Sequence, residues 1–246
     1  ILQLSEKNSS RSWKKEWIFY ENTASIFKML EKIIVDPLTD SNCYLLVSGD
    51  RVLIVDPNNF QKIHSYLTEK NLTPELVILT HEHCDHIAAL NDLRKQYPVK
   101  VLCSDACSRG IQSTTLNMTR IMETYLYFKS NGKMRVSYPP FTCQPADITF
   151  EKVYTTTWRR HTILCQSAPG HTPGSSCIIV DEALLFSGDY FIPNENVITR
   201  LPGGDEQAYE KWGKPVLRSL PTPIKTYPGH RAPFILTKEV KDTYGL

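Results

Sequence analysis

Val77-Ile78-Leu79-Thr80-His81-Glu82-His83-Cys84-Asp85-His86 places four groups able to hold a metal, His81, His83, Asp85 and His86, directly behind a short apolar run. The run is of the buried-strand type, so the polar cluster begins where a strand ends. Side chains alternate along an extended segment, which puts His81 and His83 on the same side. A turn through Cys84 then sends Asp85 and His86 toward a second centre. Imidazole together with carboxylate suits zinc, iron or manganese, and the lack of a thiolate argues against a closed structural zinc site. One isolated histidine at a strand end would be an ordinary polar loop residue. So dense a cluster of ligand types is not.

Three later segments repeat one local pattern, a ligand-type side chain beside glycine after a strand-like run. They are Pro169-Gly170-His171-Thr172-Pro173-Gly174, Ser187-Gly188-Asp189 and Pro228-Gly229-His230. Glycine permits tight turns and proline limits the freedom of the loop, so a ligand there is held in place. Five of the seven histidines thus fall in ligand-like contexts. His64, within a predicted helix, and His161, at a strand start, fit packing or solvent-facing roles.

Outward from these motifs, the spacing predicts strands at 33–35, 42–47 and 51–55 joined as a β-meander, then a helix over 59–70 and the strand that ends at Leu79. A helix over 87–97 stops before Pro98. Strands recur at 99–103, 162–167, 176–180, 183–186 and 224–227, with a helix over 205–220. Two β-rich halves, each with helices, imply a four-layer αββα sandwich in the α/β class. Residues 1–30, with a basic-aromatic stretch from Arg11 to Tyr20, read as an extension ahead of a single domain spanning 31–246. That extension could dock a protein partner through Trp13, Trp17, Phe19 and Tyr20, or pack on the domain itself. The mixed segment from Ser104 to Pro140 is expected to wall the substrate pocket, with Met118, Met122, Tyr125 and Phe128 as apolar contacts.

Composition adds exclusions. Hydrophobic residues at 41% and charged residues at 22% describe an ordinary globular chain. Its 28 basic and 26 acidic residues leave a net charge of +2, too balanced for a nucleic-acid footprint. No apolar run is long enough to span a membrane and no secretory pattern opens the chain, so a cytoplasmic protein is expected. The seven cysteines have no CxxC spacing, which speaks against a disulfide framework.

The ordered set HEHCDH, GHTPGS, SGD and PGH resembles the metallo-β-lactamase superfamily, and in particular its glyoxalase-II-like (hydroxyacylglutathione hydrolase-like) branch. The resemblance covers about residues 32 to 235. It implies that His81, His83 and His171 hold one divalent ion, that Asp85, His86 and His230 hold another, and that Asp189 bridges the two. Zinc is the expected metal, with iron or manganese as alternatives. Arg200-Leu201-Pro202-Gly203-Gly204 is similar to a glycine-rich loop of that branch. Asp56 resembles the carboxylate that orients a ligand histidine, though a turn-forming Asp-Pro accounts for it equally well. Two such ions lower the pKa of a bridging water and supply hydroxide near neutral pH, while Asp85 and Asp189, the candidate catalytic carboxylates, offset the metal charge.

The resemblance favours hydrolysis of a thioester or similar small acyl substrate. No helical glutathione-binding domain of the kind found in longer members is expected after His230, so an acyl compound other than a glutathione thioester stays open. The alternatives are a mononuclear-iron persulfide dioxygenase, a metal-dependent phosphodiesterase or nuclease, a β-lactamase and a non-catalytic accessory module.

Overall fold

A computed structural model describes residues 29–246. The expectations for the extension, both its separate character and its docking role, lie outside the described residues. Twelve strands form two sheets among these residues. The first runs in the order β1-β2-β3-β4-β5-β6, from β1 (Leu30–Val35), β2 (Asn42–Ser48), β3 (Arg51–Val55), β4 (Thr73–Ile78) and β5 (Lys100–Ser104) to β6 (Ile148–Phe150). The second runs β12-β11-β10-β9-β8-β7, built from β7 (Val153–Trp158), β8 (His161–Ser167), β9 (Ser176–Val180), β10 (Leu184–Gly188), β11 (Ile224–Pro228) and β12 (Phe234–Leu236). The β-meander β1-β2-β3 is antiparallel, whereas β3, β4, β5 and β6 pair in parallel through crossovers.

The near-continuous apolar strands follow from burial of both sheet faces. Along β2 and β3, Cys43, Leu45, Val52 and Ile54 pack with Ile63 and Leu67 of α1 (Phe60–Glu69). Alternate residues Tyr44, Leu46, Leu53 and Val55 turn to the other face and meet Ile163, Ile178, Leu184 and Phe186 of the second sheet. On the far face of that sheet, Cys177, Ile179, Leu185 and Ile224 pack with Leu217 and Leu220. The layers are therefore helix, sheet, sheet, helix, the expected αββα sandwich.

Two helices divide differently from the sequence reading. The helix expected at 87–97 begins earlier, as a single turn α2 (Cys84–Ile87), and resumes as α3 (Leu90–Gln96), with α4 (Asp105–Gly110) following β5. The helix expected over 205–220 consists of Glu206–Ala208, a π-helical turn Tyr209–Gly213 and Lys214–Ser219. Gly213 sits in that turn, and a Cβ there would lie 2.5 Å from the Pro169 carbonyl oxygen. Close approach to the loop that carries His171 thus accounts for the glycine.

All the ligand-type segments emerge at one end of the sandwich, where the sheets are stitched together. Asn42 N donates to Gly229 O at 2.7 Å, and Gly229 N donates to Gly188 O at 2.7 Å. The buried Asn42 side chain donates to Pro228 O at 3.0 Å and Arg231 O at 2.7 Å, which fixes the backbone on either side of His230. None of the described helices is long and apolar enough to cross a membrane. Asn42→Ala leaves those carbonyls short of donors and is expected to cost about 1–3 kcal/mol of stability. Urea denaturation followed by circular dichroism measures it, and an unchanged midpoint would contradict the role given to this side chain.

Candidate metal centre

The end of β4 begins the site. Beyond Ile78 the chain bends at Thr80 and coils into α2 from Cys84; His81 and His83 join one donor group, while the intervening Glu82 turns to the loop that carries His171. Glu82 is fully buried, accepts from Thr172 Oγ1 at 2.9 Å and Gly174 N at 3.3 Å, and so ties the His171 loop to the first cluster. Burial pushes its carboxyl up to about 7. A Cβ at Gly174 would lie 2.2 Å from Glu82 Oε2 and 2.4 Å from Cys107 Cα, so only glycine admits this approach.

All seven side chains singled out from the sequence meet at this end of the sandwich. His81, His83, His171 and Asp189 form one group able to hold an ion, and Asp85, His86 and His230 form another. His83 Nδ1 lies 3.1 Å from His171 Nε2. Asp189 touches both groups: its Oδ2 is 3.4 Å from His171 Nε2, and its Oδ1 is 3.3 Å from His86 Nε2 and 3.7 Å from His230 Nε2. Asp85 Oδ2 lies 3.5 Å from His230 Nε2 and 3.7 Å from His86 Nε2.

Several of these atoms find no hydrogen-bond partner among the described residues and suit a divalent cation. Nε2 of His81, His83 and His86 and Oδ1 of Asp189 are buried without a hydrogen-bond partner, which costs about 1–3 kcal/mol for each such group. The His86–Asp189 approach is close but not aligned as a hydrogen bond. Nitrogen and carboxylate donors converging without thiolate fit zinc, iron or manganese.

Charge within the cluster is divided. Burial lowers His81 and His171, and it holds His83 down to about 3, aided by the neighbouring imidazole of His171. Burial opposes charge on His86 and His230 as well, but Asp85 and Asp189 outweigh it and raise both. Asp85 and Asp189 are held low against the cost of burial, Asp85 chiefly by His86 and Asp189 chiefly by His230. The surroundings thus favour neutral imidazoles at His81, His83 and His171, while the carboxylates of Asp85 and Asp189 favour the charged form of His86 and His230.

Surrounding groups lock the rings. Asp56 accepts from Thr80 N at 2.8 Å and Thr80 Oγ1 at 2.6 Å, and its Oδ2 lies 3.1 Å from His86 Nδ1. Thr80 Oγ1 also lies 3.0 Å from His81 Nδ1, so one buried carboxylate steadies two imidazoles. The carbonyl of Ile198 is 2.7 Å from His171 Nδ1, and the Tyr190 hydroxyl accepts from His171 N at 3.1 Å while donating to Ala168 O at 2.6 Å. Sequence reasoning passes over Thr80, Glu82, Tyr190 and Ile198. Strand alternation around His81 is a signal that could have found Thr80 and Glu82, whereas a carbonyl contact from Ile198 leaves no mark in residue identity.

The cleft above the centre is lined by Met118, Met122, Tyr125 and Leu126 from the 104–140 segment, and by Leu201. Phe128, expected beside them, is 71% exposed and lies outside this lining. His161 is buried against Asp181, its Nδ1 2.6 Å from Oδ2, and His64 Nδ1 lies 2.7 Å from the Tyr97 hydroxyl, both away from the centre. All seven cysteines are buried and free.

Comparison with known proteins gives concordant results. The sequence model of the metallo-beta-lactamase superfamily matches residues 36–230. The chain is 30% identical over 195 residues to a probable metallo-hydrolase, YqgX, of Bacillus subtilis, a match covering 77% of this chain and 81% of the relative. It is 27% identical over 197 residues to a hydroxyacylglutathione hydrolase of Bartonella quintana, covering 78% of this chain but only 63% of that relative. Among solved structures, the BLEG-1 B3 metallo-beta-lactamase aligns with a TM-score of 0.68 at 26% identity, over 84% of this chain and 94% of that one. TTHA1623, solved in a di-iron-bound form, aligns with a TM-score of 0.63 at 22% identity, over 87% and 98% of the two chains, a likeness of fold.

Asp56→Asn keeps the size of the side chain but removes the charge that orients Thr80 and His86. Loss of such a partner is expected to weaken metal binding about 10- to 100-fold. Titration against a competing chelator reads this, and wild-type affinity in the variant would sink the orienting role.

Proposed function

The chain belongs to the metallo-beta-lactamase superfamily, and on that premise we propose that it is a dinuclear-metal hydrolase acting on a thioester or a similar small acyl substrate. The observation that carries the reading is the position of Asp189, whose two carboxylate oxygens divide between His171 on one side and His86 with His230 on the other. A carboxylate so shared is suited to bridging two ions.

In this reading His81, His83 and His171 hold one ion and Asp85, His86 and His230 the other, with Asp189 common to both. Zinc fits the donors, as do iron and manganese. When bound, such a pair supplies Lewis acidity for the carbonyl oxygen and a water acidified to react near neutral pH. The remaining work belongs to the protein. Asp85 and Asp189 balance positive charge in a buried site, where electrostatic effects are strong. Asp56, through Thr80 and directly, keeps His81 and His86 from rotating, so little reorganisation accompanies the reaction. Met118, Met122 and Leu201 exclude water around the acyl chain, and the half-buried Tyr125 offers a hydroxyl that burial, with the nearby Asp85 and Asp189, keeps protonated by pushing its pKa up to about 12.

The thioester preference draws support from the relatives named hydroxyacylglutathione hydrolase, which by that name act on an acyl-glutathione. The match stops short of the whole Bartonella relative, so glutathione itself is not part of the proposal. A second reading, β-lactam hydrolysis, is favoured by the 26% identity to a B3 enzyme. Assays of a metal-loaded preparation on thioesters, lactones, phosphodiesters and a β-lactam separate the two.

Two outcomes are expected. Elemental analysis after metal supplementation should find about two ions per chain, because seven donor side chains exceed what one open site uses. A stoichiometry fixed at one would favour mononuclear chemistry. Asp189→Ala should lower kcat by at least about 100-fold and reduce metal content, with an unchanged circular dichroism spectrum. Near-wild-type turnover in this variant would overturn the bridging assignment.

A further inference from the structure

Resting on the hydrolase reading, we propose that Lys129 determines specificity by binding an anionic group of the substrate, so that the acyl compound carries a carboxylate at the end remote from the metal centre. Lys129 ends α5 (Met122–Lys129), the helix that overhangs the centre. Tyr125 and Lys129 are one helical turn apart and share a face. Both line the cleft with Asp85, Asp189 and His230, and both line the adjoining space that reaches from His171 to Ile192 and Arg231. Lys129 is the one Lys or Arg common to the two linings.

Its placement is directed. The ammonium lies 5.6 Å from the centroid of the Tyr125 ring, so the side chain leans back along the helix over a half-buried aromatic at the cleft. A cation in the last turn of a helix is favourable in itself. That effect explains a lysine at the end of α5 but not its leaning over Tyr125.

The surrounding charges leave Lys129 available. Arg231, the other cation in the adjoining lining, is engaged by Glu195, with Nε at 3.2 Å and Nη2 at 2.9 Å from Oε1. Lys129 makes no ion pair among the described residues. Asp40, also in that lining, makes no ion pair with Lys129. Below, Asp85 and Asp189 lie against His86 and His230. A substrate carboxylate at the mouth would therefore meet a free ammonium, with an apolar stretch of cleft between it and the centre.

The test uses succinyl and butyryl thioesters of N-acetylcysteamine, which are close in size and differ in a terminal carboxylate. The full-length, metal-loaded chain is assayed as wild type, Lys129→Gln, Lys129→Glu and Lys129→Arg. The ratio of kcat/KM for succinyl over butyryl substrate is expected to fall about tenfold in Lys129→Gln, mainly through KM, which corresponds to loss of one hydrogen bond to a charged group. It should fall further in Lys129→Glu and recover in Lys129→Arg. A ratio that is the same in Lys129→Gln and wild type would overturn the assignment. If wild type hydrolyses neither thioester, the thioester reading fails on its own. Lys129 is then judged by calorimetric titration with succinate and butyrate: a succinate preference that Lys129→Gln abolishes upholds it, and no preference, or one that persists, refutes it.

Discussion

One backbone hydrogen bond, Asn42 N to Gly229 O, joins the sheets at the end where the chemistry lies, and a second, Gly229 N to Gly188 O, holds the ends of β11 and β10 together behind it. Each sheet carries part of the donor set. The first supplies His81, His83, Asp85 and His86 after β4, and the second supplies His171, Asp189 and His230 from its loops. Without a fixed seam the halves would not converge, because the ends of β10 and β11 meet β2 through these bonds. Gly229 is confined by the same geometry: a Cβ there would fall 2.2 Å from Asp189 Oδ1 and 2.8 Å from His86 Cε1.

The electrostatic arrangement follows from that convergence. Two buried carboxylates and five imidazoles within one small volume would be costly if each had to be satisfied within the chain. Part of the cost is offset by pairing Asp85 and Asp189 with His86 and His230. The rest is left standing as buried donors without partners at His81, His83 and His86. A site so poised gains from a cation, and its rigid surroundings keep the donors from collapsing onto other partners. Asp56 matters most here, since its two oxygens reach both Thr80 and His86.

The walls of the cleft are built from other segments than this centre. The helix α5 and the loop around Leu201 form the cleft, and they use side chains different in kind from the buried cluster, apolar below and charged at the mouth. Residues there can change without disturbing the donors, which lie on other segments. This separation fits a fold that supports many substrates by varying what stands around one donor geometry.

Much of the centre is legible in the amino-acid sequence alone. Strand alternation puts His81 and His83 together, and the glycine-flanked segments mark His171, Asp189 and His230, because tight turns beside a ligand demand particular residue types. The layered fold is also legible, since strands apolar on both sides must be covered on both sides. What the sequence does not carry is contact between residues far apart along the chain. That Glu82 turns away to clamp the His171 loop, that Asp56 reaches two histidines, that the Ile198 carbonyl holds His171, and that Phe128 faces solvent while Tyr125 faces the cleft are all decided by packing. A local pattern restricts which residues can occupy a turn or a strand face, but the direction in which a backbone carbonyl or a helix face finally points depends on elements that meet only when the sheets close.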